Sequence, residues 1–301
     1  MATTTLSNPN DRAHIDALRR REVWNWIGVV PFILFAILFL ILPSSSLFVS
    51  SFLDPNNNFT FENILEIFRR PEIIESYWLS IRISAVTAIA GGIFGFFLAF
   101  ALTNQNILRF LGPFLRTFSG VASNFAGVPL AFAFISTLGR TGLLTIFIKD
   151  ALNLDLYSLG FNLYGFVGLS LAYLYFQFPL MLLIMAPALE GLRKEWREAS
   201  ENLGATGFQY WWYIGLPILL PSLLGTMLLL FGNAFGAYAT AYALTGGRLP
   251  IITIEIGAQI RGDVLHNVGL GNALALGMVV IMTVSILLYV WLQRRSERWL
   301  R

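Results

Sequence analysis

Cysteine is absent from this chain of 301 residues, and histidine occurs only at His14 and His266. Without cysteine the chain can form no disulfide framework, no thiolate nucleophile and no cysteine-based zinc or iron–sulfur site. Two histidines are too few for a histidine-rich metal centre, and we expect each to be a polar loop residue. The sequence therefore excludes thiol redox chemistry and predicts no metal site.

Charged residues are also scarce. They make up 12% of the chain, whereas soluble domains contain about 25%. Hydrophobic residues make up 56%, the mean hydropathy is +0.68 and the formal net charge is +3. This composition excludes a disordered tail protein and a nucleic-acid binder that relies on a basic patch. It favours a membrane protein in contact with lipid, with no nucleic-acid partner.

Six long stretches of the sequence lack Asp, Glu, Lys and Arg. They are 23–53, 83–108, 117–139, 156–189, 202–247 and 264–293. Each exceeds the ~20 residues that an α-helix needs to cross a bilayer. The continuous apolar run from Phe32 to Leu42 disfavours a transmembrane barrel, whose strands alternate. We predict an all-α membrane protein with six transmembrane helices, near 24–46, 83–104, 118–138, 163–187, 221–243 and 270–292.

Lys and Arg are distributed unevenly between the two sides of these helices. Four precede the first helix, two lie in 105–117, three lie in 188–220 and four follow the last helix, whereas each remaining loop carries two. The positive-inside rule then places both termini in the cytoplasm. We predict a cytoplasmic N-terminal segment 1–23, a transmembrane domain 24–293 that keeps its first helix uncleaved, and a cytoplasmic tail 294–301.

The segment 190–220, between the fourth and fifth predicted spans, is expected to be structured. Its apolar residues follow one face of a helix, at Leu192, Trp196, Ala199 and Leu203. Charged residues occupy the other faces, so the pattern predicts an amphipathic helix. This pattern is also typical of a connector that merely lies in the membrane interface.

A sharp turn and a second helix are predicted to follow. Gly204 suits the left-handed position that ends a helix, and Thr206 with Gln209 forms the pattern of a capping box. An aromatic group suited to the membrane surface comes next. Pro217 and Pro221 are then expected to break the chain ahead of the fifth span.

The same segment contains Glu198-Ala199-Ser200, then Gly204 after three residues, then Ile214-Gly215-Leu216-Pro217 after nine. This spacing resembles the E-A-A, G and I-x-L-P pattern of permease subunits of binding-protein-dependent ABC importers, with Ser200 in place of an alanine. The resemblance implies the type I ABC importer permease fold and a cytoplasmic coupling helix that docks on an ATPase subunit. The residues that it implicates in this contact are Glu198, Ala199, Ser200, Gly204, Ile214, Leu216 and Pro217. The apolar stripe adds Trp196 as an anchor.

The resemblance extends through Phe231 to Thr240 and Leu244 to Gly247. There the chain is similar to the branch that contains spermidine/putrescine permeases, alongside relatives for thiamine, ferric iron and phosphonates. Branch membership does not identify the solute, because such importers select cargo mainly through a separate binding protein. No Asp or Glu lies in the six charge-free stretches, although a polycation inside hydrocarbon would call for acids. This absence weighs against a polyamine.

ATP chemistry is expected on another polypeptide. The only lysines are Lys149 and Lys194, and neither lies in a G-x-x-x-x-G-K-[ST] loop. The chain is thus expected to be no enzyme and to bind no cofactor, while ATP and Mg²⁺ bind to the partner ATPase subunits. The resemblance further implies an inner membrane location, a second permease subunit and an extracytoplasmic solute-binding protein. The second permease subunit is a copy of this chain or, as the resemblance favours, a homologous heterodimer partner.

Four polar residues are candidates for the translocation path. They are Asn233 and Tyr238 in the fifth span, with Tyr173 and Gln177 one turn apart in the fourth. Facing lipid would cost these groups free energy, so we expect them to face protein or a water-filled cavity. The sequence leaves open whether they contact cargo or brace helices.

Two other classes of protein compete with this interpretation. A secondary transporter or channel would need no ATPase, but its fold is often built from repeated halves with interrupted helices, and no matching pair is evident. An intramembrane enzyme would need an acid or histidine at depth, or an H-E-x-x-H or G-x-S-x-G motif, and the sequence has none of them.

Overall fold

The structure is a computed structural model that describes residues 29–103, 111–262 and 266–297, and these residues are almost entirely helical. Its helices are α1 (Val29–Ser50), α2 (Glu62–Arg69), α3 (Pro71–Thr103), α4 (Leu111–Asn124), α5 (Val128–Leu138), α6 (Leu143–Leu152), α7 (Phe166–Glu190), α8 (Lys194–Asn202), α9 (Gly207–Phe235), α10 (Ala239–Thr245), α11 (Ile252–Arg261) and α12 (Val268–Glu297). Six helical units are long and apolar enough to cross a membrane: α1, α3, α5 with α6, α7, α9 and α12. The predicted all-α fold with six spans is confirmed. The predicted segment 1–23, with His14, and residues 298–301 of the predicted tail 294–301 lie outside the described residues.

The second span begins earlier than predicted. The charge-free stretch predicts that this span begins near residue 83, whereas α3 begins at Pro71. The first turns of α3 carry Glu72 and Glu75, both exposed, and the helix continues past Arg82. Charge ends an apolar stretch without ending a helix, since straight-chain charged residues form helices readily. The hydropathy pattern therefore missed the outer turns of this helix.

The third span is interrupted, although the sequence suggested one helix over 118–138. Helix α4 ends at Asn124 and α5 starts at Val128, because Gly127 adopts a φ of +74°. This backbone region suits glycine and leaves Pro129 in the first turn of α5, where a proline is tolerated. The candidate span is consequently Val128–Leu152, which joins α5 to α6.

The fifth span is also displaced from its predicted position over 221–243. Helix α9 runs from Gly207 through both Pro217 and Pro221 to Phe235, so the predicted break at these prolines is wrong. A π turn at Trp211–Gly215 precedes Pro217. Its wider backbone accommodates the proline ring and the lack of a proline N–H, so the helix continues. The surface loop therefore ends near residue 206 rather than 220.

Helix α3 lies at the centre of the bundle, where it packs against α7 and α9. Its buried side carries Gly91 and Gly95 facing α7, which lets the two backbones approach closely. Towards Thr103, the core is built from buried apolar side chains of the three helices, such as Ala99, Leu182 and Leu219. In contrast, α1 is exposed along its length and contacts α12.

Candidate functional site

The segment between α7 and α9 forms a helical hairpin, which we define as residues 191–206 with the first turn of α9. Helix α8 ends at Asn202, and Gly204 has a φ of +84°, as predicted for a left-handed helix end. The backbone N–H of Gly204 donates to Glu201 O at 2.9 Å, and that of Ala205 donates to Ser200 O at 3.0 Å. These two bonds form a Schellman motif that satisfies carbonyl groups at the end of α8.

The second helix of the hairpin starts with the capping box that the sequence predicted. The backbone N–H of Gln209 donates to Thr206 Oγ1 at 3.3 Å, and the backbone N–H of Thr206 donates to Gln209 Oε1 at 2.7 Å. A Schellman end and a capping box thus enclose a turn of only a few residues. Local hydrogen bonds therefore fix the angle between α8 and α9.

The predicted apolar stripe is uncovered within the chain except at Leu192, which precedes α8 and is half-buried. Leu203 is 89% exposed, Trp196 is 37% exposed, and Ala199 and Glu198 are also exposed. Ser200 behaves differently, because it is buried and its hydroxyl donates to Arg197 O at 2.8 Å. Ala199 and Glu198 therefore belong to the free surface of the hairpin, whereas Ser200 faces the bundle.

Charged side chains beside the stripe are held in defined positions. The Arg197 Nε donates to Glu201 Oε1 at 2.8 Å, and this hydrogen bond raises the pKa of the guanidinium above its usual value. The guanidinium of Arg193 lies 5.8 Å from the centre of the Trp196 ring. Such contacts limit the side-chain entropy that a partner would have to remove on binding.

The side of the hairpin opposite the exposed stripe is anchored in the bundle. Tyr210 is buried, and the Trp211 ring meets the Phe100 ring of α3 edge to face with 4.9 Å between centroids. Leu192 packs against the same cluster. The hairpin thus presents an apolar and charged surface outward while aromatic contacts fix it to α3.

The remaining motif residues, Ile214, Leu216 and Pro217, lie in α9 and are half-buried. Between them, Gly215 is buried, and a Cβ there would meet the Trp211 ring at 2.8 Å. The structure therefore divides the motif into an exposed part on α8 and a part that shapes the start of α9. The second part supports Trp211, which holds the hairpin.

Two of the four polar path candidates brace helices. Gln177 is fully buried, and its Nε2 donates to Thr87 Oγ1 of α3 at 3.1 Å and to Leu230 O of α9 at 3.4 Å. Tyr173 is 1% exposed, and its hydroxyl donates to Ala237 O at 2.8 Å. The Gln177 Oε1 has no protein hydrogen-bond partner among the described residues. Both side chains join α7 to its neighbours.

The other two candidates lie near an interruption after α9. Asn233 is exposed in the isolated chain, and Tyr238, which precedes α10, stacks on Tyr242 with 5.4 Å between centroids. Thr240 of α10 accepts a hydrogen bond from the Gly127 backbone N–H at 2.7 Å. The interruptions of the third and fifth spans are therefore in contact. The sequence did not predict this contact, because neither break carries a proline at its centre.

The close contact between α3 and α7 was also missed. A Cβ on Gly95 would lie 2.5 Å from Met181 Cβ and 2.7 Å from Phe178 O, and one on Gly91 would lie 3.0 Å from Gln177 Cβ. The Gly91-x-x-x-Gly95 spacing is the small-residue pattern that could have revealed it. In the described ranges, no group of three or more His, Asp and Glu side chains could hold a metal ion.

Residues 91–301, well over half of the chain, match the family described as binding-protein-dependent transport system inner membrane component. The chain belongs to this family. Among curated relatives of this inner membrane component, the putative ferric transport system permease protein FbpB 1 of Haemophilus influenzae is 27% identical over 274 residues, covering 88% of this chain and 41% of that protein. The sulfate transport system permease protein CysT of Escherichia coli is 26% identical over 217 residues, covering 71% of this chain and 72% of that protein.

The chain spans about two fifths of the length of the ferric transport relatives. Among solved structures, a bacterial ABC transporter involved in the import of the acidic polysaccharide alginate has a TM-score of 0.73 at 15% identity, covering 94% of this chain and 99% of that chain. An inward-facing methionine transporter, MetNI, has a TM-score of 0.54 at 17% identity, covering 75% and 96%. This inner membrane component therefore has the type I ABC importer permease fold. These relatives give no support to the spermidine/putrescine branch.

Proposed function

We propose that this chain is the permease subunit of an ATP-driven importer and forms half of the path of a small solute. The observation that carries the proposal is the hairpin surface formed by Trp196, Glu198, Ala199 and Leu203, which is exposed and yet rigidly fixed to the bundle. An exposed apolar stripe beside ordered charges suits a helix that docks in a groove of another protein. The family match favours an ATPase subunit as that protein.

In this proposal the hairpin transmits movement because both of its ends are fixed. ATP and Mg²⁺ bind to the ATPase subunits, and closure of those subunits displaces α8. The Schellman turn at Gly204 and the capping box at Thr206 pass this displacement to α9, and the contact of Trp211 with Phe100 passes it to α3. Rigid coupling requires such short, fully hydrogen-bonded connections.

The other proposed partners follow from the half-path and from the neighbours. A second, homologous permease subunit would cover the surface that carries Asn233, which is exposed in the isolated chain. A solved alginate transporter contains a periplasmic protein loaded with alginate pentasaccharide, and we propose that an extracytoplasmic binding protein likewise delivers the solute here. The positive-inside distribution supports cytoplasmic termini and a cytoplasmic hairpin in the inner membrane.

For the solute, we propose an inorganic ion such as iron or sulfate ahead of a polyamine. The relatives are named for ferric and sulfate transport. The charge-free stretches offer no acid for a polycation, which weighs against spermidine and equally against a bare ferric ion, so the iron candidate is a ferric complex. Uptake of labelled ferric complex, sulfate and spermidine by cells that express the full system distinguishes these solutes. Uptake of spermidine alone would overturn the assignment.

The test of the function is to solubilise the full chain gently from its native membrane and identify the proteins that co-purify. We expect an ATPase subunit with the wild-type chain and with Glu62→Arg, and its loss with Glu198→Arg. Both substitutions reverse one exposed charge, but Glu62 lies in α2, away from the hairpin. Equal recovery of the ATPase with Glu198→Arg would remove the hairpin from the contact.

A secondary transporter or channel remains the competing function. It would use no ATPase and would draw on an ion gradient, so vesicles without ATP discriminate between the two functions. Gradient-driven uptake by such vesicles, with no ATPase recovered in any mild detergent, would favour the competing function.

A further inference from the structure

A cavity of about 590 Å³ lies behind the hairpin, on the side of α8 that faces the bundle. Its walls include Thr103 at the end of α3, Glu190 at the end of α7 and Gly207 at the start of α9. All three helices are candidate membrane spans, so the cavity lies where the bundle meets the membrane surface. Its volume falls within the 300 to 1,000 Å³, roughly, of small-molecule sites.

The polar wall of this cavity is mainly cationic. Arg116, Arg193, Lys194 and Arg197 line it, together with one carboxylate, Glu190. Arg116 pairs with Glu190, and Arg197 pairs with a carboxylate of α8 outside the lining. Within the described residues, the ion pairs include neither Arg193 nor Lys194. The cavity therefore holds positive charge that its own carboxylates do not neutralise.

Most of the remaining lining is apolar, and we call it the apolar wall. It is formed by Phe100, Leu102, Leu189, Leu192 and Trp211. A free inorganic anion would use only the cationic wall and would leave these side chains uncovered. A molecule with a phosphate and an acyl chain would use both walls, since the phosphate would meet the cations and the chain would continue along the bundle.

We propose that this cavity binds the headgroup of an anionic phospholipid from the membrane leaflet that surrounds the hairpin. The phosphate lies among Arg193, Lys194 and Arg116, and the first part of an acyl chain packs against Trp211 and Leu189. Because α8 and Trp211 border the cavity, the bound lipid packs behind the hairpin and supports its position. The site adjoins the exposed stripe of α8 at Arg193, because the guanidinium of this cavity residue also lies over the Trp196 ring.

The test is native mass spectrometry of the purified full chain, titrated with dioleoylphosphatidylglycerol or dioleoylphosphatidylcholine. We expect the anionic lipid to bind more tightly, and the double variant Arg193→Ala, Lys194→Ala to weaken its binding about 25-fold, or about fivefold for each cation near the membrane surface. These two residues are chosen because their removal leaves no ion-pair partner behind.

Two controls separate the site from general surface charge. Arg248→Ala, Arg261→Ala removes the same charge from exposed positions elsewhere and should change lipid binding less than twofold. The exchange Arg193→Lys, Lys194→Arg keeps the charge and should retain binding. Thermal melting in phosphatidylcholine nanodiscs checks that each variant is folded.

Three results would overturn the proposal. The first is equal weakening in the two alanine double variants, which would indicate attraction to the surface as a whole. The second is equal affinity for phosphatidylcholine, which carries no net charge. The third is full displacement of the lipid by an equal concentration of inorganic phosphate, which would make the cavity a site for a free anion.

Discussion

The hairpin around α8 and the polar brace around Gln177 show two uses of polar residues in one membrane protein. In the hairpin, backbone bonds between near neighbours fix the shape, and the side chains at Trp196 and Leu203 remain exposed. In the brace, Gln177 and Tyr173 are buried, and they bond to residues distant in the sequence. A docking surface requires exposed side chains in fixed positions, whereas buried hydrogen bonds between distant residues hold helices together.

A polar side chain within a membrane span therefore does not by itself indicate a path for solute. Tyr173 and Gln177 carry polar groups, as Asn233 does, yet their hydrogen bonds are directed to Ala237 and Thr87. We therefore infer that they position helices and that the solute does not contact them in this conformation. Asn233 and Tyr238 remain the path candidates that the structure leaves accessible.

The largest expected effect comes from breaking the hairpin with Gly204→Pro. Proline fixes φ near −65°, whereas Gly204 has a φ of +84° and donates its N–H to Glu201 O. The turn cannot form, so α8 loses its fixed orientation. We expect ATP-driven uptake in vesicles to fall to background, with the thermal melting of the spanning helices unchanged.

Gly207→Pro is the matched control for this change. Gly207 is the first residue of α9, where proline is tolerated, and a Cβ there would meet no atom within 4 Å. Uptake by this variant should remain near that of the wild type. Equal loss of uptake in both variants would indicate that any proline in the hairpin is harmful and that the turn has no special role.

The second largest effect is expected from the buried contact between α3 and α7. Gly95→Ala places a Cβ 2.5 Å from Met181 Cβ and 2.7 Å from Phe178 O, so α3 and α7 must separate. We expect about 1 to 3 kcal/mol of destabilisation, the usual cost of overpacking. Unfolding of the purified chain in detergent by heat or denaturant measures it.

Gly92→Ala provides the comparison at a neighbouring position. Its added Cβ meets Met227 Cε at 2.7 Å, and that atom is the far end of a flexible side chain that can move. We expect a loss of at most about 0.5 kcal/mol. A loss as large as that of Gly95→Ala would contradict the assignment of Gly95 to a backbone contact.

The smallest expected effect is the hydrogen bond between Gln177 and Thr87. A double-mutant cycle with Gln177→Leu and Thr87→Val should give a coupling energy of about 0.6 kcal/mol, typical of polar pairs between membrane helices. The measurement is the unfolding free energy of the two single variants and the double variant. The expected ATPase recovery is that of the wild type in all three.

A different result for Gln177 would assign this side chain to the solute path. If Gln177→Leu altered the choice between solutes in uptake while the coupling energy was zero, the side chain would face the solute in another conformation. The brace would then be part of the path, and the contrast with Asn233 would disappear.

Much of the fold could be predicted because the length of an apolar stretch in the sequence indicates a membrane span. The fourth and sixth spans, predicted at 163–187 and 270–292, match α7 and α12 within a few residues at most ends. The end of α8 at Gly204 and the capping box at Thr206 were also predicted, and both are confirmed. These features depend on neighbours in the sequence, so local patterns suffice for them.

The errors share a different physical cause. The sequence predicted helix breaks at Pro217 and Pro221, where the helix continues, and missed those at Gly127 and after Phe235. A proline can be absorbed by a π turn, and a break can be stabilised by hydrogen bonds from elsewhere. Thr240 supplies one such bond to Gly127, and Tyr173 supplies one to Ala237.

The amino-acid sequence was sufficient to predict an all-helical membrane protein with a structured hairpin between two spans. Hydrophobic length and local capping do not depend on which helices are neighbours. The packing of the helices was needed to show that Gln177 is a brace, that Ser200 is buried and that the cations behind α8 share one cavity. Each of these facts depends on contact between distant segments, which the periodicity of a single helix does not encode.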